Sequence, residues 1–398
     1  MNHSSTDARP GLAMIANVLT PYRIHLHKLV AEGIPELRLH TLVTHGPADF
    51  DWKLRPPETI HPSFFGSPDD SPLAGTFRRP LTEWRKGGRL IDYLQQNDIR
   101  AVIMMGHRYI SYLRTIRYCH AVGLPLFVNN DSNIHGDRHL SAGKRWAKRR
   151  FYSWWLRRTS GIMSMGEYGD QFFIYYGADP ARLYHVPYWP DFDAFANVDD
   201  ERLHQFRRKF RLSANRKHIL FSGRLVPVKR VDLLIDVFIS IADQRPEWDL
   251  LIAGDGVLRR DLQQRVPSWL QPRVKWTGFL DGGEPALAYH AADVLALPSD
   301  REPWALVVQE AMSAGLAVVA SDVTGAAHEL VENGVSGMKF RTRDKASLEN
   351  ALLAVTAAHT LEGLQQRSRE ALNQWRSRID PVAEIRRALR DVDVLDRP

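Results

Sequence analysis

The chain has 398 residues, 44% of them hydrophobic and 25% charged, and a net charge of +7. That length exceeds one ordinary core and predicts two domains of roughly 150 to 200 residues each, while the composition excludes a disordered chain. A single cysteine, Cys119, excludes an intramolecular disulfide framework and a thiolate zinc site. The polar opening MNHSSTDARP, with no run of about 18 apolar residues anywhere in the chain, predicts neither secretion nor a membrane span, so a cytoplasmic location is expected.

In the first half, short apolar runs read as strands at LAMIANVLT, LRLHTLVT, AVIMMG, LPLFVNN and SGIMSMG, with helical patterns such as GRLIDYLQQND between them. The Pro-rich LRPPETIHPSFFGSPDDSPLAG, residues 54–75, reads as a long surface loop after the second strand. Lys144–Arg158, KRWAKRRFYSWWLRR, holds seven cations and no anion, which equals the whole charge excess. Such a helix could lie on an anionic membrane surface with Trp154 and Trp155 in the interface, or pack on the core with a solvated basic face. No recognition fold accompanies the run, so nucleic acid is not expected as a partner.

The Pro- and Asp-rich VPYWPDFDAFANVDD marks a domain break. The expected division is 1–195 and 196–374, with a C-terminal helix from about 375 to 398 packing back on the first domain. Beyond the break, HILFSG, WDLLIAG, VKWTG, DVLALPS and LAVVAS alternate with RVDLLIDVFISIADQ, EPALAYHAA and ALVVQEAMSAG. Strands this continuously apolar are buried on both faces, which predicts two α/β domains, each a doubly wound parallel sheet of Rossmann-like type.

In such sheets ligands bind beyond the carboxyl ends of the strands. There the second half places Gly223, Arg224 and Lys229, then Gly254 and Gly256, then SDREPWALVVQEAMSAG, residues 299–315. Glycine lets a backbone approach a ligand, Arg and Lys suit phosphate, and a helix beginning near Trp304 would turn its free amides to the same place. A diphosphate fits these groups. Glu302 and Glu310 are eight residues apart, about 12 Å if both are helical, which is too far for a glycosidase pair at about 5 to 9.5 Å. The spacing suits an elongated ligand with hydroxyls at both ends, a nucleotide-sugar, or it is two helical glutamates without a shared task.

The segments FSGRLVPVKRVDLLIDVF, LIAGDG, VKWTGFL and ADVLALPSDREPWALVVQEAMSAGLAVVASDVTGAAHELVENGVSGMKF, in that order, resemble the retaining family 4 glycosyltransferases. The resemblance covers residues 217–341 strongly and the first half in outline. It implies the GT-B fold, with two Rossmann-like domains facing a central cleft. In the donor site it implies, Arg224 and Lys229 bind the diphosphate and Glu302 the transferred sugar, the catalytic set. Glu310 binds the ribose, the backbone at Trp304, Ala305, Leu306 and Val307 meets sugar and phosphate, and Gly223, Gly254 and Gly256 are close-approach positions. Ala305 stands where many relatives have Gly. NVLTPYRIHLHKL resembles bacterial envelope-polysaccharide members and makes Tyr22, Arg23, His107 and Asp131 the acceptor-side candidates, although a lone His or Asp at a strand end also serves as a cap.

The resemblance implies transfer from a UDP- or GDP-sugar to a glycan or lipid-linked acceptor, with the departing diphosphate taking the acceptor's proton. No metal or other cofactor is expected. The Asp191–Asp193 and Asp391–Asp393 triplets read as chance, and GDGVLRRD lacks the third glycine of a dinucleotide fingerprint. Lys144–Arg158 would hold the protein at the inner face of the cytoplasmic membrane. The alternatives are a nucleotide-sugar epimerase of the same fold and a basic binding protein without catalysis.

Overall fold

The computed structural model describes residues 9–46, 56–66 and 79–396. It divides into two compact units, Met1–Trp189 with Asp380–Pro398, and Pro190–Ile379.

The first unit holds strands β1 (Gly11–Ala16), β2 (Arg38–Val43), β3 (Pro62–Phe64), β4 (Ile99–Met105), β5 (Leu126–Asn129), β6 (Gly161–Ser164) and β7 (Leu183–His185). They form a seven-stranded sheet in the order β3-β2-β1-β4-β5-β6-β7, with parallel pairing throughout. The period-2 geometry of a strand sends alternate side chains to opposite faces, and each face has its own core. Ala13 and Ile15 of β1 join Val102 and Met104 of β4 in one cluster, while Leu12, Met14 and Ala16 join Ala101, Ile103 and Met105 in the other. Helices α2 (Pro80–Gln96), α3 (Ile110–Val122) and α4 (Ala142–Leu156) cover the first face. The second face is covered by α1 (Pro21–Gly33) and by the helix Pro381–Arg390. That returning helix is fixed by its buried Ile385, Ala388 and Leu389, by Arg386 on Glu36 at 2.5 Å, and by Tyr184 on Asp391 at 3.0 Å.

The second unit holds β8 (Lys217–Ser222), β9 (Trp248–Ala253), β10 (Val274–Gly278), β11 (Val294–Leu297), β12 (Ala317–Ser321) and β13 (Gly337–Phe340), ordered β10-β9-β8-β11-β12-β13 and all parallel. Both sheets wind outwards in two directions from their first strand. The order reverses between β1 and β4 in one and between β8 and β11 in the other. In sheets of this kind the loops leaving the carboxyl ends of those two strands diverge and open a crevice, the usual place for a ligand.

Three details differ from the sequence reading. Within 54–75, residues 56–66 are not a free loop: Ile60 is buried in the same core as Leu26, and Pro62–Phe64 pairs with β2 as an edge strand, where proline's missing donor is tolerated. The remainder of that segment lies outside the described residues. The units divide at Trp189 and Pro190 because Phe192 is buried under the Arg376 guanidinium at 4.2 Å and its carbonyl accepts from Ser313 at 2.8 Å. The return to the first unit starts at Asp380 and not at 375, because Trp375 packs against Trp304 and donates to Glu329 at 2.8 Å.

Candidate active site

The β8/β11 switch point gathers the polar groups of the second unit. The loop after β8 carries Lys229, and the loop after β11 carries Glu302. Their side chains form a direct ion pair, and Ser299 donates to the same carboxylate oxygen at 3.1 Å. Glu302 is only 8% exposed. It sits in the loop ahead of the helix, and its backbone is pinned by a bridge to Thr324 and by the Gly325 amide at 3.3 Å. Arg230 ties the two loops together: it holds Asp232 at 3.1 Å and Asp300 at 3.2 Å, while the Asp300 amide donates to the Val228 carbonyl at 2.9 Å. Arg230 does so from a left-handed backbone with φ 51°, a conformation costly for a side-chain-bearing residue. Arg224 is exposed and forms no ion pair among the described residues, so its charge is open to an anion.

The glycines at the strand ends are there for space. A Cβ on Gly254 would overlap the carbonyl of Gly223, and one on Gly256 would come 2.6 Å from the carbonyl of Leu225. Gly223 and Gly254 lead straight out of β8 and β9, so the two chain turns touch backbone to backbone.

The helix after β11 runs Leu306–Ala314, with Ala305 as its N-cap at φ 79° and no side-chain cap bond. It begins two residues later than the sequence suggests, since Ala305 leaves the right-handed region. Glu302 therefore lies off the helix, and only Glu310 lies on it. The Tyr289 hydroxyl donates to Glu310 at 2.6 Å and lies 3.2 Å from the Ser222 oxygen. Burial pushes the Glu310 carboxyl up to about 7, against the opposing effect of the Tyr289 hydrogen bond. The Trp304 indole is buried, donates to Gln309 at 2.9 Å and packs tilted on Trp375 at 6.0 Å. Only its backbone is turned to the loop, where its carbonyl accepts from Ala326 at 2.7 Å.

In the first unit the β1/β4 switch point brings together Arg23 from the start of α1 and the loop after β4. Arg23 donates to Asn17 and to the Val18 carbonyl, both at 2.6 Å, and Asn17 reaches the Tyr109 hydroxyl at 3.5 Å. Tyr22 packs on Tyr188 at 4.6 Å, and Tyr188 donates to Asp131 at 3.0 Å, so Tyr22 and Asp131 are joined through a tyrosine that no sequence pattern singled out. His107 differs from the others. It is buried, stacked on Trp155 at 4.4 Å, and lowered to about 3 by burial and the Lys148 and Arg108 charges. It is a neutral ring in an aromatic core, poorly suited to accept a proton.

The basic run is helix α4, and its aromatics are arranged differently from the expectation. Trp155 is fully buried, whereas Trp146 is 68% and Phe151 39% exposed. Lys148 is not a surface cation: it pairs with Asp137 at 2.5 Å and sits among the rings of Tyr152, Phe172 and Tyr176 at 4.8 to 5.1 Å. Among the described residues no helix is long and apolar enough to cross a membrane.

Residues 216–357, which contain the whole β8/β11 crevice, match the family Glycosyl transferases group 1. This segment is a glycosyl transferase group 1 domain. Curated relatives include the D-inositol 3-phosphate glycosyltransferase of Geodermatophilus obscurus, 31% identical over 56% of this chain and 50% of that protein. Another is the alpha-D-kanosaminyltransferase of Streptomyces kanamyceticus, 26% identical over 58% of this chain and 62% of that one. The chain thus matches only about half the length of the first of these relatives. Among solved structures, Anabaena HepE in complex with UDP and glucose superposes with a TM-score of 0.72 over 97% of this chain and 100% of that one, at 17% identity. The fold is GT-B.

Within the group 1 domain the structure brings Lys229 and Glu302 into contact, places Gly223, Gly254 and Gly256 at the neighbouring turns, and puts Glu310 on the adjoining helix. Sequence reasoning missed Tyr289 and Ser299, the partners of the two glutamates, and Ser222, which meets Tyr289, because single hydroxyl residues carry no spacing signal. It also missed Arg230 and Asp300. Nothing in the spacing marks Arg230, beside Lys229, as the clamp between the two loops.

Proposed function

We propose that this protein transfers a sugar from a UDP- or GDP-sugar to a glycan or lipid-linked acceptor, with retention of configuration and without a metal ion. The observation that carries the reading is the Lys229–Glu302 ion pair at the β8/β11 switch point of the group 1 domain. It puts a cation for the diphosphate against a carboxylate for the sugar hydroxyls. Arg224 adds a second charge, and the start of the Leu306–Ala314 helix adds amides and its positive dipole end. Glu310 accepts from the ribose. UDP is the favoured nucleotide, since HepE was solved with it.

Glu302 is held by Lys229 and Ser299, which suits it to bind hydroxyls and makes it a poor nucleophile. The reading is therefore front-face transfer. The bond from C1 to the diphosphate oxygen breaks, the acceptor oxygen bonds to C1 on the same face, and the acceptor's proton passes to the leaving diphosphate. Lys229 and Arg224 stabilise the negative charge as it develops there, a contribution that removing one donor reduces by about 10²–10³-fold in comparable sites.

The acceptor belongs to cell-envelope polysaccharide or lipopolysaccharide synthesis in this reading, and the protein works at the inner face of the cytoplasmic membrane. Lys144, Arg145, Arg149 and Arg150, with exposed Trp146 and Phe151, supply the contact to anionic headgroups. The test is incubation with UDP- and GDP-sugars, with and without candidate acceptors and with a chelator, followed by proton NMR of the product's anomeric centre. Acceptor-dependent transfer with retained configuration, unaffected by chelation, is expected. Sugar conversion without acceptor, inversion, or loss of activity on chelation would each overturn the corresponding part.

A further inference from the structure

The crevice at the β1/β4 switch point of the first unit holds a cation, Arg23, that forms no ion pair with a carboxylate among the described residues. Arg23 stands in the first turn of α1, where the chain leaves β1. One of its terminal nitrogens serves Asn17 and the Val18 carbonyl, both at 2.6 Å, and its Nε is buried without an acceptor. The carboxylate in this neighbourhood, Asp131, is taken by the Tyr188 hydroxyl at 3.0 Å. The other groups around the guanidinium are neutral: the Tyr22 ring at 5.9 Å, Tyr22 packed on Tyr188, and Asn17 turned towards Tyr109.

A second group at the same helix start is also incomplete. Thr20 is the N-cap of α1 and is 5% exposed, yet its hydroxyl neither caps the helix nor meets a partner among the described residues. Thr at that position ordinarily bonds to an amide of the first turn. An unmade bond at a buried polar group costs about 1–3 kcal/mol, and more for a charged one, so unpaired groups of this kind call for a partner. A guanidinium fork, a hydroxyl and the positive end of a 13-residue helix share one preference, an oxyanion with several acceptor atoms. Water could satisfy the hydroxyl but would leave the charge unbalanced.

We propose that the β1/β4 crevice binds a phosphate group carried by the acceptor, so that the substrate glycosylated is a phosphorylated one, a sugar phosphate or a lipid-linked phosphate. This rests on the glycosyltransferase reading above and narrows its acceptor. Arg23 grips the phosphate through its free nitrogens, Thr20 donates to it, and the amides of α1 face it. The phosphate anchors the acceptor at one end and leaves its hydroxyl for transfer.

The experiment titrates inorganic phosphate and pyrophosphate into the full chain by calorimetry, with UDP saturating the group 1 domain so that its cations are occupied. Wild type is compared with Arg23→Gln, Arg23→Lys and Thr20→Val. The expected result is phosphate binding by wild type, weakened at least tenfold in Arg23→Gln, less in the other two, with UDP affinity equal in all four. If Arg23→Gln fails to fold by circular dichroism, Arg23→Lys and Thr20→Val carry the comparison. Phosphate affinity indifferent to every one of these substitutions overturns the proposal. So does a parallel fall in UDP affinity, which would assign Arg23 to the donor. Wild type that fails to bind UDP at all would strike the glycosyltransferase reading instead, and would show in the first titration. Among acceptors, phosphorylated and phosphate-free forms of the same sugar should differ in KM for wild type and converge for Arg23→Gln.

Discussion

Tyr289 donates its hydroxyl proton to Glu310 at 2.6 Å, across the gap between the helix Glu284–His290 and the helix that begins at Leu306. The Glu310 carboxyl titrates near 7 instead of 4.5 because it is buried. Between those values the folded state holds a proton that the unfolded chain has lost. Stability from this group is therefore full below about pH 4.5 and declines as pH rises towards 7, by roughly 3 kcal/mol at most. Glu310→Gln should flatten that part of the urea-unfolding profile and exceed wild type in stability at pH 8. UDP affinity should run the other way, rising in wild type from pH 6 to 8 relative to Glu310→Gln as the carboxylate forms. The UDP phosphate titrates alike in both proteins, so identical pH profiles would remove Glu310 from the ribose site.

Glu302 and Lys229 neutralise each other, so neither can be altered alone. Replacing Glu302 by Gln keeps a hydrogen-bonding side chain but releases the Lys229 charge. Free UDP should bind as tightly as in wild type or up to about tenfold more tightly, equivalent to 1.4 kcal/mol. Transfer should slow by roughly 10²-fold. A marked loss of UDP affinity, measured by calorimetry, would contradict this coupling.

Two residues adopt left-handed backbones on either side of this ion pair, with opposite expected outcomes. Ala305, at φ 79°, buries only one methyl against the strain of a left-handed backbone, and Ala305→Gly should stabilise the fold by up to about 1 kcal/mol. Arg230, at φ 51°, offsets the same strain with its bonds to Asp232 and Asp300. Arg230→Gly should thus be neutral or destabilising by about 1 kcal/mol, and should slow transfer because the loop carrying Lys229 loses its tie. Urea midpoints of the two variants moving in the same direction would refute the distinction.

Lys148 separates from its neighbours on α4. Lys148→Glu places an anion against Asp137 and among three rings, and should cost about 2–4 kcal/mol of stability. Charge reversal at Lys144, Arg145 and Arg149 together should stay within about 1 kcal/mol of wild type and abolish sedimentation with anionic vesicles at low salt. Wild type that remains in the supernatant under those conditions would dispose of the membrane contact.

The strands that sequence pattern misses are edge strands, although one edge strand, β10, is visible as VKWTG. β1, β4, β8, β9, β11 and β12 lie inside the sheets, buried on both faces, and their runs are continuously apolar. β3, β7 and β13 are edge strands of three or four residues with partly exposed side chains, and nothing in PSF, LYH or GMKF distinguishes them from a loop. The site follows a similar rule. Glycines and cations at strand ends are visible because strand ends are visible, whereas Tyr289 reaches Glu310 from a separate helix, and His107 owes its burial to Trp155, 48 residues further along the chain. Contacts of that kind depend on packing between elements, which periodicity does not report. The expectation that Trp155 lies in a membrane interface fails for the same reason, since helix α4 turns Trp155 inwards and leaves Trp146 out.

The returning helix Pro381–Arg390 makes the second unit an insertion. Residues 190–379 are one uninterrupted stretch, whereas the first unit is built from two pieces separated by all of it. During synthesis the usual order of maturation, amino-terminal domain first, is therefore reversed at the last step. The second unit can close its core while the first still lacks Ile385, Ala388 and Leu389, and one face of the first sheet stays open until residues 381–390 have been made. A chaperone that holds exposed apolar surface would find it there, on the face shared by α1 and β1, and the interval ends only when Arg386 reaches Glu36.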